Sequence, residues 1–335
     1  MKAVFMPYLA AMWDALEGVW MEYDQDPEWE TAVVPIPYYE RTPDRSFGQL
    51  HYEGDRFPPY VPVVPYQTYD LETEHPDVIY IHNPYDDKNY VTSVHPDYYS
   101  DVLKKHADKL IYIPYFVHTD PSDSDFLSEI SVFAHTPAVY NADETIVESE
   151  TVRQCYINAL VQTDGEASRE KWESRIINGG SPKLQKAARV RELRYQYPQE
   201  WLSRITKKDG SRKKVYFFNT SIAEFLQHDE AMLDAIEKVF EVFFRFREIA
   251  VLLWRPHPLL EATIRAMRPH LAERYHQLVE EYKTAGTGIF DDSPDMYMAI
   301  SISDVYFGDR NSSLTEIFKA AGIPVIIRKP GGPVL

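Results

Sequence analysis

Short apolar runs that alternate with helical patterns constrain the fold of this 335-residue chain more than any other feature. In the first half each run is rich in β-forming residues and ends in proline and tyrosine, as in Ala3-Val4-Phe5-Met6-Pro7-Tyr8 and Leu110-Ile111-Tyr112-Ile113-Pro114-Tyr115. Apolar runs without polar alternation suit strands covered on both faces, and proline ends them because it has no N–H for the ladder. Similar runs occupy residues 32–38, 61–66 and 78–85, with helical patterns at 12–23 and 98–106. The alternation predicts parallel sheets built from βαβ units.

A second series of strands begins at Lys214, after the turn-forming segment Lys208-Asp209-Gly210-Ser211. The pattern predicts strands at 214–218, 249–254, 288–290, 304–307 and 324–327, with amphipathic helices at 229–247 and 261–283. Because the chain exceeds the usual size of one hydrophobic core, we assign two domains, residues 1–208 and 209–335. The last strand lies close to Leu335, so we expect a shortened second domain. The predicted fold class is α/β, with two doubly wound, Rossmann-like parallel-sheet domains.

Composition excludes several classes of protein. A net charge of −17 argues against general nucleic-acid binding. The single cysteine, Cys155, excludes an internal disulfide and a cysteine-based zinc site and is typical of a reducing compartment. No apolar run approaches the roughly 18 residues of a membrane span, and Pro7, Asp14 and Glu17 interrupt any signal-peptide core. We therefore expect a cytoplasmic protein.

One segment is basic although the chain is acidic. Between Lys183 and Lys214 there are eleven Lys or Arg residues and three Asp or Glu residues. Such an excess is typical of a solvated helix face beside a linker. It would also suit a polyanionic acceptor or the surface of an anionic membrane.

Polar residues follow three predicted strands of the second domain, where ligands of open α/β sheets bind. Arg255 and His257 lie in Trp254-Arg255-Pro256-His257-Pro258, and the serines of the third segment begin a helix. Guanidinium, imidazole and hydroxyl groups and helix N-termini all bind phosphate, although each also occurs as a structural cap. The candidates for this phosphate site are Asn219, Thr220, Ser221, Arg255, His257, Asp309, Ser312 and Ser313, with Glu316 as a candidate ligand for ribose.

In the first domain, His82 follows the run at 78–81 and is a candidate general base, with Asp86 close enough in sequence to orient it. The alternative is that His82 only packs within a structural Asn83-Pro84 turn. The sequence lacks a Gly-x-x-x-x-Gly-Lys-Ser/Thr loop, a Gly-x-Gly-x-x-Gly loop after its first strand and a His-Glu-x-x-His motif. ATP or GTP hydrolysis of the P-loop type, dinucleotide redox chemistry and zinc proteolysis are therefore not expected.

Several short segments together resemble the CDP-glycerol glycerophosphotransferase family, which makes teichoic-acid-like polymers. The segments are Lys213-Lys214-Val215-Tyr216-Phe217-Phe218-Asn219-Thr220-Ser221, Arg255-Pro256-His257-Pro258, Ser303-Asp304, Gly308-Asp309, Ser312-Ser313, Met6-Pro7-Tyr8 with Met12-Trp13-Asp14, Ile81-His82-Asn83-Pro84-Tyr85-Asp86 and Gly180-Ser181-Pro182-Lys183. The resemblance implies a GT-B architecture, in which two Rossmann-like domains face a cleft and the second binds the donor.

The resemblance also implies a mechanism and a set of partners. His82 would deprotonate an acceptor hydroxyl, which would attack the β-phosphorus of CDP-glycerol and expel CMP, while Arg255, His257 and the serines would stabilise the phosphates. Asp86, Ser181 and Lys183 would lie on the acceptor side. The acceptor would be a polyanionic or lipid-linked polymer at the inner face of the cell membrane. No metal or other cofactor is expected.

Two other functions remain open. A GT-B glycosyltransferase could use a CMP-sugar, because similar His-Pro and Ser-Ser elements hold CMP in sialyltransferase-like enzymes. Breakage would then occur at the anomeric carbon and not at phosphorus. A non-catalytic nucleotide-binding or scaffold protein would bind a donor or a partner without turnover.

Overall fold

A computed structural model describes residues 1–118, 130–309 and 312–328 of the chain. The chain divides into two compact units, Met1–Lys186 and Ala187–Leu335, which we call domain 1 and domain 2. This division falls earlier than the predicted boundary after Lys208, because the intervening segment packs on domain 2. Arg191 donates hydrogen bonds to the carbonyl oxygens of Ser301 and Ser303 at 2.7 and 3.0 Å.

Domain 1 contains a six-stranded sheet in which each neighbouring pair is parallel, with the strand order β2-β1-β5-β7-β8-β9. A separate antiparallel sheet has the order β4-β3-β6. The strands are β1 (Lys2–Met6), β2 (Glu30–Val33), β3 (Tyr38–Arg41), β4 (Phe47–His51), β5 (Val78–Ile81), β6 (Thr92–Val94), β7 (Lys109–Tyr112), β8 (Glu144–Val147) and β9 (Ile176–Asn178). All four residues of β5 are buried, as the unbroken apolar run predicts for a covered parallel strand.

Two of the predicted strands of domain 1 differ from the structure. Residues 61–66 do not form a strand, and only Val63 pairs, in an isolated bridge with Val33. Pro62 and Pro65 explain this, since each removes an N–H from a short run. The run at 32–38 is also divided, because β2 ends at Val33 and β3 begins at Tyr38 in the other sheet.

The helices of domain 1 follow the predicted alternation. They are α1 (Glu17–Asp24), α2 (Leu71–Glu74), α3 (Ser100–Leu103), α4 (Pro137–Asn141), α5 (Glu150–Asp164), α6 (Arg169–Arg175) and α7 (Pro182–Ala188), the last of which crosses the domain boundary. Short 3₁₀ helices occupy Ala10–Ala15, Gly54–Arg56, Tyr66–Thr68, Pro96–Tyr98 and Glu166–Ser168. The Ser149 hydroxyl caps α5 by accepting the Val152 N–H. Phe5, Trp13, Trp20 and Tyr80 belong to the core on one side of the sheet.

Domain 2 contains a five-stranded parallel sheet with the order β12-β11-β10-β13-β14. The strands are β10 (Lys214–Thr220), β11 (Ala250–Pro256), β12 (Ile289–Phe290), β13 (Val305–Gly308) and β14 (Val325–Ile327). The chain builds outward from β10 in one direction and then returns to build in the other. The sheet therefore has a topological switch point between β10 and β13, where ligands of doubly wound folds bind.

The helices of domain 2 are α8 (Gln199–Ile205), α9 (Ile222–His228), α10 (Glu230–Arg245), α11 (Leu260–Met267), α12 (Ala272–Ala285), α13 (Met296–Ile302) and α14 (Ser313–Ala320). The single helix predicted at 261–283 is two helices, because Pro269 begins a 3₁₀ turn between α11 and α12. Phe218, Trp254 and Ile236 belong to one fully buried core cluster. No helix in the described part of the chain is both long enough and apolar enough to span a membrane.

Candidate functional site

The switch point of domain 2 brings together four of the predicted phosphate-site residues. The Ser312 hydroxyl donates to Asn219 Oδ1 at 3.1 Å, and the Ser221 N–H donates to Asp309 Oδ2 at 2.8 Å. Asn219 Nδ2 in turn donates to the carbonyl oxygen of Arg255 at 3.1 Å. The carboxyl ends of β10, β11 and β13 therefore form one hydrogen-bonded edge. Residues 310 and 311, which the sequence places between Asp309 and the serines, lie outside the described residues.

The network at this edge fixes the start of helix α14. Ser312 is the N-cap, and its hydroxyl accepts the Leu314 N–H at 3.3 Å while it donates to Asn219. Ser313 is the first helical residue, and Glu316 lies in the first turn, where it pairs with Lys319 at 2.8 Å. A helix N-terminus carries a partial positive charge, so the edge favours an anion at this place.

Thr220 and Arg255 have structural partners that do not fit the predicted phosphate role. Thr220 is fully buried, and its hydroxyl accepts the Trp254 Nε1–H at 3.3 Å. The Arg255 guanidinium donates to Asp291 Oδ2 at 2.5 Å and to the Ser293 carbonyl at 2.7 Å, and both charged side chains are buried. Arg255 therefore anchors the turn after β12. Asp291 was not among the predicted site residues, although it directly follows a predicted strand.

His257 has a defined tautomer. Its backbone N–H donates to the Thr220 carbonyl at 3.1 Å, which aligns the end of β11 with β10. Its Nδ1 accepts the Leu259 N–H at 3.1 Å. Because Nδ1 is the acceptor, the neutral ring carries its proton on Nε2. The half-buried side chain thus has an Nε2–H donor at the carboxyl edge of the sheet.

Arg328 is the main residue of this edge that sequence reasoning missed. It directly follows β14, and its guanidinium donates to Asp309 Oδ1 at 2.9 and 3.2 Å. Glu224 Oε2 lies 3.5 Å from the same guanidinium. Burial raises the pKa of Glu224, and the charge of Asp309 adds to the effect while Arg328 opposes it. Arg328 therefore balances acidic groups that would otherwise repel a phosphate.

The general-base role predicted for His82 does not fit its environment in domain 1. The side chain is fully buried, Nε2 accepts the Tyr8 N–H at 3.0 Å, and Nδ1 donates to the Met12 carbonyl at 3.1 Å. Burial lowers its pKa to about 3. Both ring nitrogens are thus engaged by the backbone, and the ring resists protonation. His82 ties β5 to the segment that follows β1, as the alternative interpretation proposed.

The residues predicted for the acceptor side of domain 1 are held by local contacts. Asp86 accepts the Ser100 N–H and hydroxyl at 3.0 and 2.6 Å, so it contacts the start of α3 and does not orient His82. Burial raises the pKa of Asp86 to about 6 against the effect of these hydrogen bonds. Lys183 Nζ lies 2.7 Å from Asp14 Oδ1, and both side chains are buried. Ser181 is half-buried and precedes α7.

A second buried network of domain 1 was not predicted. His118 Nδ1 lies 2.8 Å from Glu148 Oε1, which also accepts the His118 backbone N–H at 2.6 Å, and His118 Nε2 lies 3.2 Å from the Tyr156 hydroxyl. Glu148 directly follows β8, so the rule used for the other sites would have found it. Tyr156 is fully buried. We therefore infer that this network holds the segment after β7 in place.

Fold and site together define an α/β chain with two Rossmann-like domains, the second of which has the start of α14 at its switch point and His257 at the same edge of its sheet. The sequence matches no protein-family description and none of the curated proteins. Solved structures, in contrast, resemble the chain over nearly its whole length.

Three such structures are complexes with UDP or UDP-GlcNAc. The UDP-GlcNAc 2-epimerase from Neisseria meningitidis bound to UDP-GlcNAc has a TM-score of 0.57 and 11% identity, covering 98% of this chain and 82% of the epimerase chain. The Methanocaldococcus jannaschii UDP-GlcNAc 2-epimerase with UDP-GlcNAc and UDP has a TM-score of 0.55 and 11% identity, covering 98% of this chain and 83% of the epimerase chain. The S. aureus MnaA complex with UDP has a TM-score of 0.54 and 12% identity, covering 98% of this chain and 79% of the MnaA chain. These likenesses confirm the predicted α/β, GT-B-like fold class.

Proposed function

We propose that domain 2 binds the phosphates of a nucleotide-activated donor at the switch point between β10 and β13, and that the chain is an enzyme acting on that donor. The observation that carries the proposal is the pair of hydrogen bonds from Ser312 to Asn219 and from Ser221 to Asp309, which hold the start of α14 at the carboxyl ends of β10 and β13. Ligands of doubly wound sheets bind at such a position, and helix N-termini favour phosphate.

Three groups would act on the phosphates. The first turn of α14 supplies backbone N–H groups and the positive end of the helix dipole. His257 would contribute an imidazole N–H at the carboxyl edge of the sheet, where the hydrogen bond from Leu259 to Nδ1 holds the ring. Arg328 offsets the charge of Asp309. Donors fixed before the reaction stabilise the negative charge that develops on a departing nucleotide, which is electrostatic catalysis.

Two observations bear on the identity of the donor, and they favour different compounds. The solved structures similar to this chain include enzymes bound to UDP-GlcNAc, which supports a nucleoside-diphosphate sugar and a glycosyltransferase-like reaction. The sequence segments around His257 and Ser312 support CDP-glycerol and transfer of glycerol phosphate to a polymer hydroxyl. We favour the nucleotide sugar, since its support covers the whole chain. His82 is not part of either mechanism, because both of its ring nitrogens bind the backbone.

Isothermal titration tests the proposal. The purified chain is titrated separately with UDP-GlcNAc, CDP-glycerol and a CMP-sugar, and the donor that binds is then titrated into His257→Ala. A hydrogen bond to a charged group contributes about 1.5–3 kcal/mol, so we expect the variant to raise Kd by roughly 10- to 100-fold.

The matched control is His276→Ala, which removes an exposed histidine from α12. This variant should bind the donor as the parent chain does. If none of the three donors binds, or if both histidine variants bind like the parent, the proposed phosphate site is wrong. Donor binding without nucleotide release, with any acceptor, would identify a non-catalytic nucleotide-binding protein.

A further inference from the structure

Three large apolar side chains are exposed together where α10 leads into β11. Phe244, Phe246 and Ile249 have exposed fractions of 51%, 55% and 58%. They lie at the amino edge of the domain 2 sheet, opposite the edge that carries the phosphate-site residues. Single exposed apolar residues are ordinary, but a cluster of this kind marks an interaction surface.

The basic segment between Lys183 and Lys214 separates into two groups in the structure. Most basic residues of this segment that lie outside the amino edge bind other groups of the chain. Lys183 and Lys186 pair with Asp14 and Glu17, while Arg191 and Arg204 donate to backbone carbonyls of domain 2. Arg212 pairs with Asp304. The four lysines of the edge, Lys207, Lys208, Lys213 and Lys214, have no carboxylate within ion-pair distance among the residues that the structure describes.

These lysines adjoin the exposed apolar residues. The Lys214 N–H donates to the Ile249 carbonyl at 3.0 Å, and the Lys213 N–H donates to Ile205 at 2.7 Å. The Lys207 N–H donates to Ser211 at 2.8 Å, which closes a hairpin that carries Lys208 at the same edge. We define the amino-edge patch as Lys207, Lys208, Lys213, Lys214, Phe244, Phe246 and Ile249.

We infer that the amino-edge patch binds the surface of an anionic lipid bilayer. Its lysines contact lipid phosphates, and its apolar side chains enter the boundary between headgroups and acyl chains. This inference goes beyond the proposed function, since it concerns the opposite edge of the sheet and needs no donor.

Charge favours a bilayer over a second copy of the chain as the occupant. Two copies that met through this patch would place unpaired lysines against each other, which is unfavourable when water is excluded. An anionic bilayer instead attracts them. The chain as a whole carries −17 and is repelled by such a surface, so attachment has to come from a local basic and apolar patch.

The distance between the two edges of the domain 2 sheet limits what the donor site can reach. The seven residues of β10, at about 3.3 Å per residue, separate the two edges of the sheet by roughly 20 Å. A bilayer at the amino edge therefore leaves the switch point well away from the lipid headgroups. An acceptor that extends from the membrane suits this distance better than a headgroup itself.

Vesicle sedimentation tests the inference with the full chain and no nucleotide. Vesicles of phosphatidylcholine alone are compared with vesicles that also contain phosphatidylglycerol, at low and high salt. We expect binding only to the anionic vesicles, weakened by salt. A combined Phe244→Ser, Phe246→Ser and Ile249→Ser variant, and a separate Lys213→Glu and Lys214→Glu variant, should each reduce the bound fraction at least tenfold.

The control replaces exposed apolar residues of domain 1, Phe47→Ser with Leu50→Ser, and should bind vesicles as the parent does. Thermal unfolding shows that each variant is folded. The inference is overturned if the serine variant binds like the parent, if phosphatidylglycerol makes no difference, or if the parent forms a dimer that the serine variant lacks. None of these outcomes bears on donor binding at the opposite edge.

Discussion

At the residue scale, two histidines that both follow buried strands differ in what their ring nitrogens contact. The backbone engages both nitrogens of His82, one as an acceptor and one as a donor, inside a fully buried site. The Nδ1 of His257 accepts the N–H of Leu259 in a local turn, and the half-buried ring lies at the carboxyl edge of the sheet. Position in the sequence does not separate these cases, because burial and backbone partners decide which ring can act on a ligand.

The environment of His82 predicts a specific dependence of stability on pH. Its pKa of about 3 in the folded chain lies below the ordinary value of 6.5, so below pH 6.5 the unfolded chain binds the proton first. The free energy of unfolding therefore falls as pH decreases. Between about pH 7.5 and 5.5, we expect the parent to lose roughly 1 kcal/mol more than His82→Asn, whose side chain does not titrate in this range. Urea unfolding followed by tryptophan fluorescence measures this difference.

A control separates His82 from other titrating groups. Asp86, with a pKa raised to about 6, contributes in the opposite direction, but it is present in both chains and cancels in the comparison. His276→Gln, which changes an exposed histidine, should show the pH dependence of the parent. Equal losses in the parent and in His82→Asn would show that His82 can be protonated in the folded state.

At the scale of elements, helix α7 is attached to domain 1 by two ion pairs of different burial. Lys183 and Asp14 are both almost fully buried, whereas Lys186 is more exposed and its partner Glu17 also accepts a hydrogen bond from Tyr60. Removing one member of a buried pair leaves an uncompensated charge. The two lysines of this helix should therefore differ in their effect on stability.

Substitution by methionine tests this difference on one helix. We expect Lys183→Met to lower the free energy of unfolding by about 3 kcal/mol, because Asp14 remains buried without its cation. Lys186→Met should cost about 1 kcal/mol, since Tyr60 still binds Glu17. Urea titrations of both variants provide the values. A Lys183→Met variant as stable as the parent would instead favour the predicted role of Lys183 as a ligand-binding residue.

The sequence predicted the elements of the parallel sheets well, because unbroken apolar runs arise when both faces of a strand are covered. It did not predict β3, β4 and β6, because none of them contains a continuous apolar run. It wrongly extended the strand pattern to 61–66, where two prolines prevent a ladder. The rule that polar residues follow strands located the edge at Ser312 but could not show that Arg255 is bound to Asp291.

At the scale of the whole molecule, each domain has a switch point, and different groups of the chain lie at the two switch points. In domain 1 the strand order reverses beside β1, where His82 fills the space after β5 and binds Tyr8 and Met12. In domain 2 the corresponding place carries the start of α14, and His257 follows the neighbouring strand β11 at the same edge. We therefore place the proposed donor site in domain 2.

The most direct test of this assignment is hydrogen–deuterium exchange of the intact chain with and without UDP-GlcNAc, or with whichever donor binds in the titrations. If the donor binds at the switch point of domain 2, we expect slower exchange in peptides that cover residues 219–224, 257–260 and 312–316. Exchange at 206–214 and 244–250 should be unchanged. Protection confined to domain 1 or to the amino edge of domain 2, in the presence of a bound donor, would contradict this assignment.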